Sequence, residues 1–115
     1  MGHMLYDGNE HEFDDRVLAH IKAAVGLKLR RQEAFYLSWN KKLKEGDGRI
    51  AIWVTPYATL TFRFSGGRQP ELDPVWLRVL EETANSPYGM QVVPEDVAEE
   101  RMASRNENSN GQRGN

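Results

Sequence analysis

Hydrophobic and polar residues alternate along the middle of the chain. Three segments, residues 34–40, 49–55 and 59–64, show this alternation, and short turn-like segments separate them. One set of alternate positions is apolar in all three segments: Phe35, Leu37, Trp39, Ile50, Ile52, Val54, Leu60, Phe62 and Phe64. A period of two with one apolar side is typical of a half-buried sheet. The pattern therefore predicts three consecutive antiparallel strands whose apolar side faces the core.

The segment before these strands predicts a hairpin followed by a helix. Residues 4–6 and 11–13 flank a turn-forming segment, which favours a short opening hairpin. The helix is predicted to begin at Asp14 or Asp15, because an acid is a good N-cap and suits the positive end of the helix dipole. Apolar residues then recur at helical spacing up to Leu29.

Gly26 lies inside this helix and weakens it by about 1 kcal/mol relative to alanine. We expect a close approach of helix and sheet there. A second helix is predicted to begin with Asp73 as N-cap and Pro74 as first residue, where the missing N–H of proline costs nothing. Residues 90–93 predict a last strand. The elements together predict an α+β domain in the order ββαβββαβ. Its mostly antiparallel sheet has about five to six strands, with two helices packed on one face.

Beyond residue 94 the composition changes. Residues 96–103 are compatible with a short exposed helix, but residues 104–115 contain no aromatic or large aliphatic residue. Such a segment buries too little apolar surface to offset the conformational entropy that ordering removes. We therefore expect a single α+β domain over residues 1–94 and a polar, mostly disordered tail over residues 95–115.

Charge and cysteine content narrow the classes of function. The net charge is −2, and residues 95–115 supply it with five acids and three arginines. The neutral remainder argues against strong non-specific nucleic-acid binding, which needs a basic surface. The absence of cysteine excludes disulfides, thiolate metal sites and cysteine nucleophiles. No signal peptide or membrane-spanning apolar run is visible, so we expect a cytoplasmic protein with no membrane partner.

Polar and aromatic residues occupy the other side of the three predicted strands. Tyr36, Trp53 and Arg63 fall on this side, and Lys41 and Lys42 lie at one end of the same hairpin. Aromatic rings beside cations bind single-stranded bases and phosphates on sheet surfaces. The same residues also suit a protein partner, a second copy of the chain, or simple cross-strand packing. We predict a binding surface at these five positions, with a protein partner or self-association favoured over single-stranded nucleic acid.

No combination of residues predicts a catalytic or metal site. His3 and His11 can face each other across the opening hairpin, but their spacing is not diagnostic of metal ligands and solvent exposure explains them. His20 is predicted to lie at the boundary of the first helix's apolar stripe. No serine has the base and orienting group that nucleophilic catalysis requires. We therefore expect no catalytic residue, no metal and no cofactor.

Several short strings within residues 1–94 resemble a known group of proteins. They are Met1-Gly2-x-x-Leu5-Tyr6, Glu12-Phe13-Asp14-Asp15-Arg16, Lys28-Leu29-Arg30-Arg31, Phe35-Tyr36-Leu37-Ser38-Trp39, Gly46-Asp47-Gly48-Arg49, Ile52-Trp53, Phe62-Arg63-Phe64-Ser65-Gly66 and Thr83-Ala84-Asn85-Ser86. Through them the chain resembles small actinobacterial proteins of unknown function that are often labelled ATP-dependent DNA ligase. The resemblance implies a role connected with DNA ligation, either catalytic or accessory.

A catalytic role in ligation would require the nucleotide-binding motif of an ATP-dependent ligase. An ATP-dependent ligase forms a lysyl–AMP bond within a Lys-x-Asp-Gly-x-Arg motif, in which the lysine is the nucleophile. The nearest string runs from Lys44 to Arg49, with one residue too many between Lys and Asp and one too few between Gly and Arg. The chain is also too short for a nucleotidyltransferase domain. We therefore expect a small non-enzymatic interaction module that acts through its sheet face.

Overall fold

The computed structural model describes residues 1–41 and 48–113, with side chains through residue 106. This part of the chain contains six strands and three helices, so the protein is an α+β protein. In chain order the elements are β1 (Gly2–Tyr6), β2 (Asn9–Phe13), α1 (Asp15–Arg30), β3 (Phe35–Asn40), β4 (Arg49–Val54), β5 (Leu60–Arg63), α2 (Pro74–Ala84), β6 (Met90–Gln91) and α3 (Glu95–Arg113).

The six strands form two three-stranded sheets. Sheet A has the order β2-β1-β5 and is antiparallel, whereas sheet B has the order β4-β3-β6, with β6 parallel to β3. The prediction that the three middle strands are neighbours in one sheet is therefore wrong, because β5 leaves β4 and pairs with β1. The link between β4 and β5 contains Pro56 and is too long for a tight two-residue hairpin turn. At its end the Asp7 N–H donates to the Thr59 carbonyl oxygen over 3.3 Å, which holds the start of β5 beside β1.

The predicted orientation of β3 and β4 is confirmed. In their antiparallel register Leu37 lies opposite Ile52, and Tyr36 lies opposite Trp53. The Leu37 side chain is fully buried, whereas Tyr36 and Trp53 are half exposed. The apolar side of this hairpin joins the core that the first two helices complete. On the other side Tyr36 and Trp53 are exposed to solvent, whereas Ser38 is buried.

Both predicted helix starts are confirmed. Asp14 caps α1 by accepting a hydrogen bond from the Arg16 N–H over 3.3 Å. Asp73 caps α2 in the same way, with 2.9 Å between its Oδ1 and the Val75 nitrogen, and Pro74 is the first helical residue. These caps satisfy N–H groups that have no partner within the helix, so local sequence is sufficient to place them.

The expectation of a mostly disordered polar tail is wrong for residues 95–113, which form the third helix. Ala98 of α3 is fully buried against the core, and Met102 is partly buried. An ion pair of 2.7 Å between Arg105 and Glu82 also joins α3 to α2. The sequence pattern allowed only a short exposed helix over residues 96–103, because the contact of this helix depends on Ala98, Met102 and a few charges rather than on a long apolar stripe. That residues 1–94 form the domain unit stays a prediction.

Candidate interaction surface

The outer side of the β3–β4 hairpin carries an exposed aromatic pair. The Tyr36 and Trp53 ring centroids lie 4.9 Å apart with an interplanar angle of 62°, and the side chains are 49% and 50% exposed. Edge-to-face pairs of this kind contribute about 0.5–1.5 kcal/mol beyond their buried area. We call this side the aromatic face, and its exposed members are Tyr36, Asn40, Arg49, Ala51 and Trp53. Ser38 lies on the same side but is buried.

Backbone geometry explains why the two rings meet. The Lys41 N–H donates to the Gly48 carbonyl oxygen over 2.9 Å, which makes these two residues a hydrogen-bonded pair. Pairs alternate along an antiparallel ladder, so Tyr36 and Trp53, five positions away, form a non-hydrogen-bonded pair. Side chains approach most closely at such pairs, and the backbone groups of Trp53 point away from β3, toward the edge of the sheet.

The aromatic face has a positive character. Its outward positions include Arg49 but no carboxylate, and the exposed Lys41 follows directly after β3. Lys42, the fifth position of the predicted surface, lies outside the described residues. Three of the five predicted positions, Tyr36, Trp53 and Lys41, are therefore found on one hairpin.

Arg63 does not join them, because β5 belongs to sheet A. Its guanidinium pairs with the Glu10 carboxylate over 2.6 Å, on the outer side of that sheet. His3, opposite Arg63 in the register, lies 3.8 Å from Glu10 and 3.8 Å from Glu12. The predicted grouping of Arg63 with the aromatic pair fails for a topological reason, although the predicted side of its strand is correct.

The histidines of the opening hairpin do not face each other. His3 pairs with Glu12 and His11 with Met4, which places the two rings on opposite sides of sheet A. The His11 ring instead makes an edge contact with Trp39 at 5.0 Å, and partial burial lowers its pKa. The hypothesis of a weak histidine cluster is therefore excluded by strand register.

His20 is fully buried in the core, whereas the sequence predicted it at the boundary of the apolar stripe of α1. Its Nδ1 lies 2.7 Å from the Arg16 carbonyl oxygen, and its Nε2 accepts the Asp73 N–H over 2.8 Å. The tautomer with the proton on Nδ1 satisfies both contacts. The ring also stacks on Trp76 at 4.2 Å. His20 thus links α1 to the N-terminus of α2, a role that no local sequence signal shows.

Three carboxylates meet where α2 and α3 begin. One oxygen from each of Asp73, Glu95 and Glu99 lies within 4.8 Å of the others, so these side chains could hold a cation. Arg16 already binds Glu95 through two nitrogens, at 3.0 and 2.8 Å. The contacts within the cluster are therefore those of a helix junction, held together by an arginine.

The carboxyl groups of Asp73 and Glu99 at this junction of α2 and α3 have shifted pKa values. A hydrogen bond to Asp73, together with burial, raises the pKa of Glu99. Burial works to raise the pKa of Asp73 as well, but its hydrogen-bonding contacts with Glu99, Glu95 and the backbone N–H groups leave it below its ordinary value. Of the two carboxyl groups, Glu99 therefore keeps its proton to the higher pH, and in that state it donates a hydrogen bond to the Asp73 carboxylate.

These features define a small α+β domain with an exposed aromatic pair on one sheet and no membrane-spanning helix within its described residues. Residues 1–95 match a domain of unknown function, DUF7882, and the chain belongs to that family. The match ends where α3 begins. No curated protein and no solved structure matches the chain.

Proposed function

We propose that the protein is a non-enzymatic interaction module that binds a partner protein through the aromatic face. The observation that supports this most directly is the half-exposed Tyr36–Trp53 pair, held on two paired strands. Tryptophan, tyrosine and arginine are the residue types that most often dominate binding energy at protein interfaces. Arg49 supplies the third type on the same face. In keeping with the sequence-based expectation, the module is proposed to act in the cytoplasm.

The charges of the face specify the chemistry of the partner. Arg49 is exposed on this face, Lys41 is exposed directly after β3, and the outward positions of β3 and β4 carry no carboxylate. A complementary surface therefore offers an apolar pocket for the Trp53 ring with carboxylates at its margin.

The edge of sheet B favours contact through side chains rather than through added strands. β4 is an edge strand, and Trp53 directs its carbonyl oxygen outward. The Tyr6 hydroxyl of sheet A donates a hydrogen bond to that oxygen. A partner strand could not pair along the whole of β4 without displacing Tyr6, whereas the aromatic face stays accessible.

Single-stranded nucleic acid is the alternative occupant, and it would suit the accessory role beside a DNA ligase that the family resemblance implies. Bases stacking on Tyr36 and Trp53 contribute about 1–3 kcal/mol each, with Lys41 and Arg49 near the phosphates. The pairing of Arg63 with Glu10 on the other sheet takes one predicted cation out of that surface. A second copy of the chain is the remaining occupant.

The test compares proteins bound by the wild-type chain with those bound by Trp53→Ala and Tyr36→Ala, from an extract of the cells that produce it. Tyr57→Ala is the matched control, because Tyr57 is 92% exposed but lies outside the aromatic face. A protein that both face variants lose and the control retains is then purified and titrated. We expect Trp53→Ala to weaken its affinity by about tenfold or more.

Three further outcomes would contradict the proposal. If purified candidates bind Trp53→Ala as tightly as wild type, the face is not the binding surface. If oligothymidylate quenches the tryptophan fluorescence at low salt and Trp53→Ala abolishes the effect, nucleic acid is the ligand. If sedimentation shows a concentration-dependent dimer that Trp53→Glu disrupts, the occupant is a second copy of the chain.

A further inference from the structure

A second surface of the protein is a groove of about 900 Å³ between α1, β5 and the segment that leads into α2. It shares no residue with the aromatic face. Its walls are mainly apolar, with side chains from α1, β5 and α2: Ala19, Val25, Leu29, Leu60, Phe62 and Leu77. Binding sites for small molecules are typically concave, mainly apolar and roughly 300–1,000 Å³ in volume.

Gly26 of α1 lines this groove and has no side chain that would occupy it. A Cβ atom added at Gly26 would meet no heavy atom within 4 Å, so the expected close approach of α1 to a sheet does not occur there. A glycine inside a helix costs about 1 kcal/mol relative to alanine, and packing does not explain it here. The missing side chain instead leaves space along the wall of the groove, which a ligand would fill.

The polar groups of the groove are cationic. Lys22, Arg30 and Arg68 are exposed at its margin, and none of the described residues that line it is acidic. Within residues 1–41 and 48–106, no carboxylate forms an ion pair with any of the three. Lys22 extends its ammonium group to 5.8 Å from the centre of the Phe64 ring. The groove therefore combines an apolar interior with unneutralised positive charge at its rim.

We propose that this groove binds a long-chain fatty carboxylate, with the hydrocarbon chain along α1 and β5 and the carboxylate at the cationic rim. From Ala19 to Arg30 the wall extends for about 16 Å along the helix, which suits an extended chain better than a single ring. Burying that chain provides the affinity, and the cations select an acid over a neutral lipid. An amphipathic acidic helix would share the charge, and the NMR experiment below distinguishes it from the fatty acid.

The test is calorimetric titration with dodecanoate below its critical micelle concentration. Dodecanol supplies the chain without the charge, and acetate supplies the charge without the chain. We expect saturable binding of dodecanoate with one site, and little or no binding of the other two compounds. Equal binding of dodecanol would overturn the role of the cations, and failure of dodecanoate to bind would overturn the site.

Variants then locate the bound chain. Gly26→Leu fills open space, so it should lower the affinity by about tenfold or more without lowering the melting temperature. Lys22→Gln and Arg30→Gln should each weaken binding by about two- to fivefold. Arg78→Gln is the matched control, because Arg78 is exposed on α2, outside the groove. Unchanged affinity in Gly26→Leu would place the ligand elsewhere.

A measurement on the wild-type protein does not depend on any variant being folded. A spin-labelled fatty acid should broaden the backbone amide NMR signals of residues at the groove, including Gly26 and Gly67, and leave those of Tyr36 and Trp53 sharp. Broadening on the aromatic face instead would overturn the proposal. Broadening by an acidic amphipathic peptide, with none by the fatty acid, would identify a peptide site.

Discussion

The Tyr6 hydroxyl in sheet A donates a hydrogen bond to the Trp53 carbonyl oxygen in sheet B. The two residues are 47 positions apart, and their contact joins the two sheets directly. Burial, followed by the charge of Asp7, raises the pKa of Tyr6, so its hydroxyl keeps its proton and remains a donor across the neutral range. The contact also covers part of the β4 edge, where an unpaired carbonyl group would otherwise be available to another chain.

Replacing Tyr6 by phenylalanine removes this donor and little else. We expect Tyr6→Phe to lower the free energy of unfolding by about 0.5–1.5 kcal/mol, the usual net contribution of one hydrogen bond. Urea denaturation measures the change. Tyr57→Phe is the control, because Tyr57 is almost fully exposed and should leave stability unchanged. Equal stability of Tyr6→Phe and wild type would mean that the two sheets are held together without this contact.

Gly89 allows β6 to lie against β3. Its φ of +78° favours glycine, and an added Cβ would lie 2.4 Å from the carbonyl oxygen and 2.5 Å from the Cβ of Tyr36. We expect Gly89→Ala to cost about 2–5 kcal/mol, from the left-handed conformation and the backbone clash together. Gly8 also has a positive φ, +86°, but an added Cβ there would lie in open space. We therefore expect Gly8→Ala to cost only about 1–2 kcal/mol.

Thermal unfolding of the two alanine variants separates the cost of the left-handed conformation from the cost of the clash with Tyr36. Both positions have positive φ, but only an alanine at position 89 meets the Tyr36 backbone. Hydrogen exchange adds a local readout: the Val92 N–H, which donates to the Ser38 carbonyl oxygen over 2.9 Å, should lose protection in Gly89→Ala. If both variants are destabilised equally, close packing of β6 on Tyr36 does not contribute to stability.

Lys28 is a buried cation at the end of α1. Its side chain is 4% exposed, and its Nζ lies 2.7 Å from the Asn85 Oδ1 and 3.3 Å from the Glu33 carboxylate. Asn85→Ala leaves the ammonium group short of an acceptor, and we expect a cost of about 1–3 kcal/mol. Lys28→Met replaces the ion by an apolar chain of similar volume and should be neutral or stabilising.

A double-mutant cycle measured by denaturation checks this account. In the Lys28→Met background, Asn85→Ala should cost little, because no buried ammonium group remains to be satisfied. Additive effects of the two substitutions would show that Asn85 stabilises the protein independently of Lys28.

Glu99 makes the attachment of α3 dependent on pH. Its folded-state pKa is raised, so its contribution to stability is complete below its unfolded-state value and is lost as pH rises through the raised pKa. The lowered pKa of Asp73 acts in the opposite sense, and its contribution is lost as pH falls through that lowered value. The pair therefore stabilises the junction most at acidic pH between these two limits.

Glu99→Gln keeps a donor for Asp73 at every pH and carries no charge. We expect its melting temperature to lose the decline that wild type shows as pH rises through the raised Glu99 pKa. Thermal unfolding across the acidic and neutral range measures the two profiles, and Glu100→Gln, at an exposed neighbouring position, is the control. Parallel profiles for wild type and Glu99→Gln would contradict a shared proton at this junction.

Local patterns in the sequence were sufficient for the elements whose determinants lie close together in the chain. The caps Asp14 and Asp73 are correct because a cap acts on backbone groups two or three residues away. The exposure of Trp53 was predictable for a similar reason. Side chains of a strand alternate strictly, so the buried Leu37 and Val54 determine where their neighbours point.

Tertiary structure alone decided which segments meet. Alternation in β5 shows which of its sides is apolar but not which strand is its partner, and that choice separates Arg63 from the aromatic pair. The burial of His20 and Ala98, and the open space at Gly26, depend on elements far away in sequence. The period of a pattern is a property of neighbouring residues, whereas pairing and packing are set by the whole chain when it minimises exposed apolar surface and unsatisfied polar groups.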